Sequence, residues 1–313
     1  MILNVMITIL ILRFKSRILL IGLVTMSVLA ACSDAGSDQD HRLSIIATTS
    51  IWGDVAAEVA GDDADVEVLI PRHIDAHDYQ PTPQQAASLL EADLVIANGL
   101  GLEEGIRDVL DSAGSDGANI LSLAPQVNPL PFPEADHDNL DPHVWFDPQR
   151  VALGADLIAA ELTALDGSLD WSARKDAYVD EVINAEAEIG ALLSSVPEDR
   201  RKLVTNHQAL GYLADRYDLE IVGVVIPGGS TLADPSSAEL AELVDVIEEE
   251  GVDVIFTETS QPTRLAEAVA AEVGREISIV ALFTESLDDP GTPAGSLLGM
   301  LTEDARLISE ALG

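Results

Sequence analysis

Cysteine is almost absent from this chain: its 313 residues include one, Cys32. A single cysteine cannot form an internal disulfide, so a fold held together by disulfides is excluded. Aromatic residues make up only 4% of the chain, whereas hydrophobic residues make up 47%. The length and the apolar content suffice for two domains or one large one, and the core must be mainly aliphatic.

Cations are also scarce, because 16 Lys and Arg stand against 55 Asp and Glu and leave a formal net charge of −39. A protein that binds nucleic acid needs clustered Lys and Arg to neutralise phosphates, so a nucleic-acid partner is excluded. The acidic excess also predicts a strongly solvated surface that resists association. We therefore expect a monomer.

The N-terminal segment has the pattern of a targeting sequence. A patch with one Lys and two Arg precedes an apolar run over 18–31, which is too short for a membrane span and typical of a secretory signal. The run ends in Leu-Ala-Ala-Cys, which resembles the bacterial lipoprotein signal, in which the Cys receives lipid. We expect a signal peptide over 1–31, lipidation at Cys32 and a polar tether over 32–42. The chain is then expected outside the cytoplasm, anchored to the cell membrane.

After the tether, short apolar segments alternate with helical patterns. Strands are expected over residues 43–48, 66–70, 93–97, 119–123, 203–205, 221–226, 252–257 and 277–282. Strands that alternate with helices predict an α/β fold with mostly parallel sheets flanked by helices.

A longer helical pattern separates the two series of strands. It covers 173–196, and its apolar residues recur every three to four positions. At 1.5 Å per residue it spans about 36 Å, long enough to set the relative orientation of two halves. We predict a first lobe over 43–170, a connecting helix over 171–198 and a second lobe over 199–313.

Four helix starts are predicted from an N-cap residue followed by Pro at the first helical position. The N-cap residues are Thr82, Asp147, Asp234 and Thr292. A Gly-rich segment over 99–105 resembles a dinucleotide fingerprint, but two acids at the helix start would repel a pyrophosphate, so we interpret it as a tight turn.

Three histidines lie where a ligand binds in such a fold. His77 and His207 each follow a predicted strand, and His143 lies at the end of a Pro-rich loop over 124–142. Ligands of open α/β sheets bind beyond the carboxyl ends of strands. Three imidazoles with one carboxylate favour zinc, whereas oxygen-only sets suit Mg, Ca or Mn. The long sequence intervals require a tertiary site, and a single His near a strand end is by itself more often a hydrogen-bonded surface or core residue than a ligand.

The motifs around these histidines resemble those of the cluster A-I, or zinc/manganese, solute-binding proteins of ABC importers. The similarity covers nearly the whole mature chain. The matching motifs are His-x-x-x-Pro-Thr-Pro from His77, Asp-Pro-His-x-Trp-x-Asp-Pro around His143, Thr-Asn-His ending at His207, and Phe-Thr-Glu-Ser-Leu around Glu285.

The resemblance implies two similar α/β lobes joined by one long rigid helix, with a metal ion in the cleft between them. His77 and His143 would bind it from the first lobe, and His207 and Glu285 from the second. The family usually has Asp where this chain has Glu285. Manganese members usually carry a carboxylate where this chain has His207, so the resemblance favours Zn²⁺, with Mn²⁺ as the alternative.

The function implied is capture of the ion and its delivery to an ABC permease in the cytoplasmic membrane. A metal-dependent surface adhesin would share the anchor and the fold. A secreted zinc hydrolase would need an open coordination position and a general base. The chain has neither a His-Glu-x-x-His helix nor a Gly-x-Ser-x-Gly elbow, so we expect no enzyme.

Five further residues have weaker functional interpretations. Asp75 and Asp78 flank His77 and could fix its ring tautomer. Glu258 could orient a ligand His or attract the cation, and a plain strand-end charge is an equal alternative. His137 could collect metal at the mouth of the cleft, although a solvated loop residue is the simpler interpretation, and His73 is expected on the surface.

Overall fold

The computed structural model describes residues 42–132 and 139–313. The predicted signal peptide, the lipidation site Cys32 and His137 lie outside these ranges. Within them, no helix combines the length and the apolarity needed to cross a membrane.

Two four-stranded parallel sheets form the framework. The first has the strand order β2-β1-β3-β4 and the second β6-β5-β7-β8, so both follow the same winding pattern. The strands are β1 (Leu43–Ala47), β2 (Ala64–Val68), β3 (Leu94–Ala97), β4 (Ile120–Ser122), β5 (Lys202–Thr205), β6 (Glu220–Val224), β7 (Val254–Glu258) and β8 (Ser278–Leu282).

Helices connect the strands and cover the sheets. They are α1 (Ser50–Ala60), α2 (Pro83–Glu91), α3 (Arg107–Ser115), α4 (Pro148–Leu165), α5 (Trp171–Ser194), α6 (Gly211–Tyr217), α7 (Ser237–Glu250), α8 (Arg264–Glu272) and α9 (Leu297–Leu312). The predicted fold class, two α/β lobes with parallel sheets joined by a long helix, is confirmed, and we use first lobe for the part built on β1–β4 and second lobe for the part built on β5–β8. The exact lobe boundaries remain a prediction.

The strand order creates a switch point in each sheet. β1 pairs with β2 on one side and β3 on the other, and β5 pairs in the same way with β6 and β7. The connection after β1 runs to β2 on one side of the sheet, and the connection after β3 runs to β4 on the other side. β5 and β7 repeat this arrangement. Because the two connections diverge, a crevice opens between them at the carboxyl ends of the strands. The segments that carry the predicted metal ligands all follow carboxyl ends of strands.

The core is aliphatic, as the composition predicts. Every residue of β3 and β7 is buried, which is typical of central strands covered on both faces. One apolar cluster runs through the first lobe, α5 and α9 and extends into the second lobe at Leu213 and Phe256, and a smaller cluster lies within the second lobe around Val204, Ile247 and Ile255.

The long helix α5 has 24 residues and packs against α4 and α9. Its buried side chains include Tyr178, Val182, Ile189 and Leu193, which are spaced along one face. Because α9 follows the last strand of the second lobe and α4 follows the strands of the first lobe, α5 contacts helices from both lobes.

Two of the four predicted helix caps are wrong. Thr82 and Asp147 cap α2 and α4 as expected, each with Pro in the first turn. However, α7 is capped by Ser236, whose hydroxyl accepts from the Glu239 N–H, and α9 is capped by Ser296. In both cases the serine after the Asp-Pro or Thr-Pro pair offers the better-placed oxygen, so the helix begins later than predicted.

Candidate metal centre

Four side chains from separate segments converge on one point between the two sheets. They are His77, His143, His207 and Glu285, and their ligating atoms all lie within 4.8 Å of one another. At most 1% of each side chain is exposed. The family resemblance implies these four residues as one set, and the fold brings all of them together.

The four residues reach this point from loops at the carboxyl ends of strands. His77 lies in the loop after β2, and His143 precedes a 3₁₀ turn (Val144–Phe146) that leads into α4. His207 follows β5 directly, and Glu285 follows β8. Each lobe therefore contributes two of the four side chains.

The distances between the four groups match a tetrahedral metal site. The Nε2 atoms of His143 and His207 are 3.2 Å apart, and Glu285 Oε1 lies 3.3 Å and 3.5 Å from these two atoms. The Nε2 atom of His77 is 4.0 Å from Glu285 Oε2. Ligands at 2.0–2.1 Å from a tetrahedral ion are separated by about 3.3 Å. One ion at the centre can therefore contact all four groups after a small movement of His77.

Each histidine ring is oriented by a carboxylate behind it. His143 Nδ1 lies 2.6 Å from Asp141 Oδ1. His207 Nδ1 forms a short hydrogen bond with Glu258. His77 Nδ1 lies 3.2 Å from Glu104 Oε1. A carboxylate only accepts, so it places the ring proton on Nδ1 and directs the Nε2 lone pair towards the centre.

Two of these three orienting carboxylates were not predicted. The interpretation of Glu258 as a residue that orients a ligand histidine agrees with the geometry, and the plain strand-end charge does not. The prediction that Asp75 fixes the His77 ring is wrong, because Asp75 Oδ1 accepts from the His77 backbone N–H at 2.8 Å. The ring partner is Glu104, from the segment interpreted as a tight turn. Asp141 lies two residues before His143, and an Asp-Pro-His motif was the available signal.

Gly105 explains how Glu104 comes close to His77. The Gly105 N–H donates to the His77 carbonyl at 3.0 Å, and a Cβ at this position would lie 2.3 Å from the Tyr79 carbonyl oxygen. Only glycine permits this approach of the two backbones.

A buried polar network underlies the first-lobe half of the centre. Glu103 accepts hydrogen bonds from the Thr48 hydroxyl and from the backbone N–H groups of Asn98 and Gly99. The Asn98 amide donates to the Pro142 carbonyl at 3.0 Å, directly before His143. The Gly-rich turn therefore binds a carboxylate of the protein itself, which agrees with its interpretation as a turn.

Trp145 links the two lobes at the centre. Its ring packs edge-on against His143, with 5.4 Å between ring centroids, and its indole N–H donates to the Thr284 carbonyl at 3.1 Å. Thr284 precedes Glu285, so the residue predicted as packing also fixes the position of the fourth candidate ligand.

The carboxylate of Glu285 is buried without a hydrogen-bond donor among the described residues, and His77 Nε2 likewise has no partner there. Burial opposes ionisation, but the adjacent rings of His143 and His207 hold the pKa of Glu285 well below its usual range. Burial also opposes protonation of the rings. The carboxylates Asp141 and Glu285 nevertheless raise the pKa of His143 to about 9, and Glu258 and Glu285 raise that of His207 well above its ordinary value.

His73 lies on the surface, as predicted. Its ring is 47% exposed and lies 3.0 Å from an Asp289 carboxylate oxygen, outside the buried centre. For Asp78, no hydrogen bond or ion pair links it to the His77 ring in the described part of the chain.

Comparison with known proteins places this chain in a family. The family model described as the periplasmic zinc-uptake complex component A matches residues 45–311. The manganese-binding lipoprotein MntA of Bacillus subtilis is 29% identical over 286 residues, which cover 89% of this chain and 92% of MntA. The iron-binding protein YfeA of Yersinia pestis is 26% identical over 290 residues, which cover 92% of each chain.

A solved structure extends the similarity to three dimensions. The periplasmic zinc-binding protein TroA of Treponema pallidum superposes with a TM-score of 0.81 at 27% sequence identity, covering 87% of this chain and 99% of TroA. The similarity thus includes both lobes and spans nearly the whole length of the relative. The chain therefore belongs to the periplasmic zinc-uptake component A family, the metal-binding solute-binding proteins of ABC importers.

Proposed function

We propose that this protein captures one Zn²⁺ ion with His77, His143, His207 and Glu285 and delivers it to an ABC permease. The observation that carries this proposal is the buried Glu285 carboxylate, which has no donor in the described structure while three imidazole Nε2 atoms surround it. In the metal-free protein this charge is balanced only by the neighbouring rings when they carry protons, and a dication at the centre of the four groups would replace those protons.

Zinc is the ion that fits the donor set best. Three neutral imidazoles and one carboxylate in a tetrahedral arrangement are typical of zinc, whereas manganese prefers more oxygen ligands and a higher coordination number. Manganese is the second candidate, because MntA, a relative of similar length, is named as manganese-binding.

Carriage rather than catalysis follows from the number of protein ligands. A catalytic zinc retains one position for water. Four protein side chains from two lobes fill the tetrahedron of a bound ion, so a hydrolase mechanism has no coordinated water to use. We infer that the ion itself is the cargo.

The protein acts outside the cytoplasm, held on the membrane through a lipid at Cys32. Its net charge of −39 attracts divalent cations to the cleft. The two lobes, each holding two ligands, present a surface that depends on whether the ion is bound, and the permease binds that loaded form of a single monomeric chain.

Metal analysis and X-ray absorption test this proposal. Mature protein purified without added metal should contain about one equivalent of zinc, with four ligands, three of them nitrogen. The His143→Ala variant should lose the ion, and the His73→Ala variant should keep it because His73 lies outside the centre. A six-coordinate, oxygen-rich manganese spectrum would reject zinc in favour of manganese, and protein without any tight metal would reject the proposal.

A further inference from the structure

Asp75 connects the two lobes beside the centre. It lies in the same loop as His77, and only 6% of it is exposed. One oxygen, Oδ1, accepts from the His77 backbone N–H. The other, Oδ2, accepts from two second-lobe side chains, the Thr231 hydroxyl at 2.5 Å and the Gln261 amide.

The two second-lobe partners come from segments that frame the other half of the centre. Thr231 lies in the loop between β6 and α7, and Gln261 lies in the turn between β7 and α8. That turn starts at Glu258, whose carboxylate orients His207, and the Gln261 N–H donates to the Glu258 carbonyl. One buried carboxylate therefore joins the backbone that carries His77 to the turn that orients His207.

We propose that Asp75 is an interlobe latch that sets the rate at which the metal leaves. Separation of the β6–α7 loop and the β7–α8 turn from the His77 loop breaks both hydrogen bonds to Oδ2. Both contacts are partly buried, so opening leaves their polar groups without these partners and costs free energy. The latch thus slows opening of the loaded cleft and does not itself contact the ion. This inference rests on the proposed metal-binding function and adds a residue that controls release.

Replacing the Gln261 amide with a carboxyl group tests the latch while a side chain of the same size is kept. In Gln261→Glu, a carboxylate replaces the amide donor opposite Asp75, so the contact becomes repulsive. We expect zinc release into excess chelator, measured by stopped flow, to become roughly ten-fold faster or more, with the association rate changed by less than about three-fold. Gln126→Glu is the matched control, because its side chain donates only to the Ser122 carbonyl within the first lobe.

The double variant Asp75→Asn with Gln261→Glu reverses donor and acceptor. The Asn amide can donate to the new Glu while its oxygen still accepts from His77. We expect the release rate to return to within about three-fold of the wild type. A Gln261→Glu release rate equal to that of the Gln126→Glu control, or a double variant that releases as fast as Gln261→Glu, would overturn the latch.

Hydrogen exchange of the metal-free protein separates this inference from the proposed function. Backbone exchange over 226–233 should be faster in Gln261→Glu than in the wild type and should be restored in the double variant. If the wild type binds no metal, the proposed function fails. The exchange experiment then still decides whether the contact of Asp75 with Thr231 and Gln261 holds the two lobes together. Unchanged exchange in Gln261→Glu would overturn the latch whatever metal is bound.

Discussion

Glu285 is the one charged donor in a centre whose other three donors are imidazoles. A dication bound there leaves a net positive charge on the four-ligand set. The carboxylates of Glu104, Asp141 and Glu258 lie behind the three rings and offset that charge. They also make the rings more basic and thus better ligands. At the scale of single residues, the proposed site therefore predicts that metal affinity depends on three pairs of side chains, each a histidine with its orienting carboxylate.

The ligand pairs predict that His207 contributes more to affinity than Glu285. His207→Ala removes a nitrogen ligand and leaves the buried Glu258 without its donor, whereas water can replace the oxygen lost in Glu285→Ala. Loss of an orienting partner alone typically costs 10–100-fold in affinity, so we expect a loss of about 100-fold or more for His207→Ala and a smaller one for Glu285→Ala. Competition with a zinc chelator measures both, and a larger loss for Glu285→Ala would reverse these roles.

The raised pKa values predict that protons compete with the metal already near neutral pH. Because the pKa of His143 is about 9, its ring is protonated at pH 7 in the metal-free protein and must release that proton to bind an ion. Apparent zinc affinity should fall at least ten-fold per pH unit between pH 8 and 6. Calorimetry in buffers of different ionisation enthalpy should detect at least one proton released at pH 7. A zinc affinity that stays unchanged between pH 8 and pH 5.5 would contradict this prediction.

The two orienting carboxylates missed from the sequence, Asp141 and Glu104, differ in how local their signals are. His143 and Asp141 are two positions apart, so one motif contains both. Glu104 is far from His77 in sequence and approaches it because Gly105 lets two loops touch. The same holds for Asp75, whose partners Thr231 and Gln261 belong to the other lobe. Such contacts exist only after folding, and no local pattern encodes them.

At the scale of secondary structure, the N-termini of α7 and α9 depend on competition between two N-cap signals, the predicted residue before Pro and a later Ser. Asp234-Pro235 has an N-cap residue and a Pro, but Ser236 and Glu239 form a reciprocal capping box whose N-cap lies two residues after Asp234. The box satisfies two backbone N–H groups, which the isolated Asp-Pro pair does not. Central strands were easier to predict, because continuous burial leaves a continuous aliphatic run.

The capping box predicts different effects for two neighbouring substitutions. Ser236→Ala should lower the free energy of unfolding by about 1 kcal/mol, because the Glu239 N–H loses its acceptor. Asp234→Ala should change it by less than about 0.5 kcal/mol, since that side chain caps no helix. Urea unfolding of the metal-free protein distinguishes them, and a larger effect for Asp234→Ala would restore the helix start predicted from sequence.

At the scale of the whole molecule, alternation of strands and helices was enough to predict two parallel sheets. It did not predict the packing of α9, which returns from the second series of strands to contact α5 and α1. An amphipathic helix shows which face is buried but not which neighbour covers it. The lobes consequently share one helical layer, and the apolar cluster of the first lobe includes Met300, Leu301 and Ile308.

The N-terminal motif predicts how the whole protein is held at the membrane. Cys32 follows Leu-Ala-Ala and is the only thiol of the chain. Cys32→Ala should release the protein from the membrane fraction, with loss of the lipid mass and unchanged zinc binding of the two lobes. Cell fractionation with mass spectrometry measures this, and a variant that stays on the membrane at unchanged mass would exclude the anchor.

The return of α9 to α1 and α5 also determines when the centre can form during biosynthesis. The Leu287 N–H donates to Ser50, and the Leu297 N–H donates to Asp54, so α1 holds both ends of the segment between Glu285 and α9. Ribosomes complete this segment after all three histidines, and a chain emerges N-terminus first. A nascent chain therefore lacks its fourth ligand until synthesis is nearly finished.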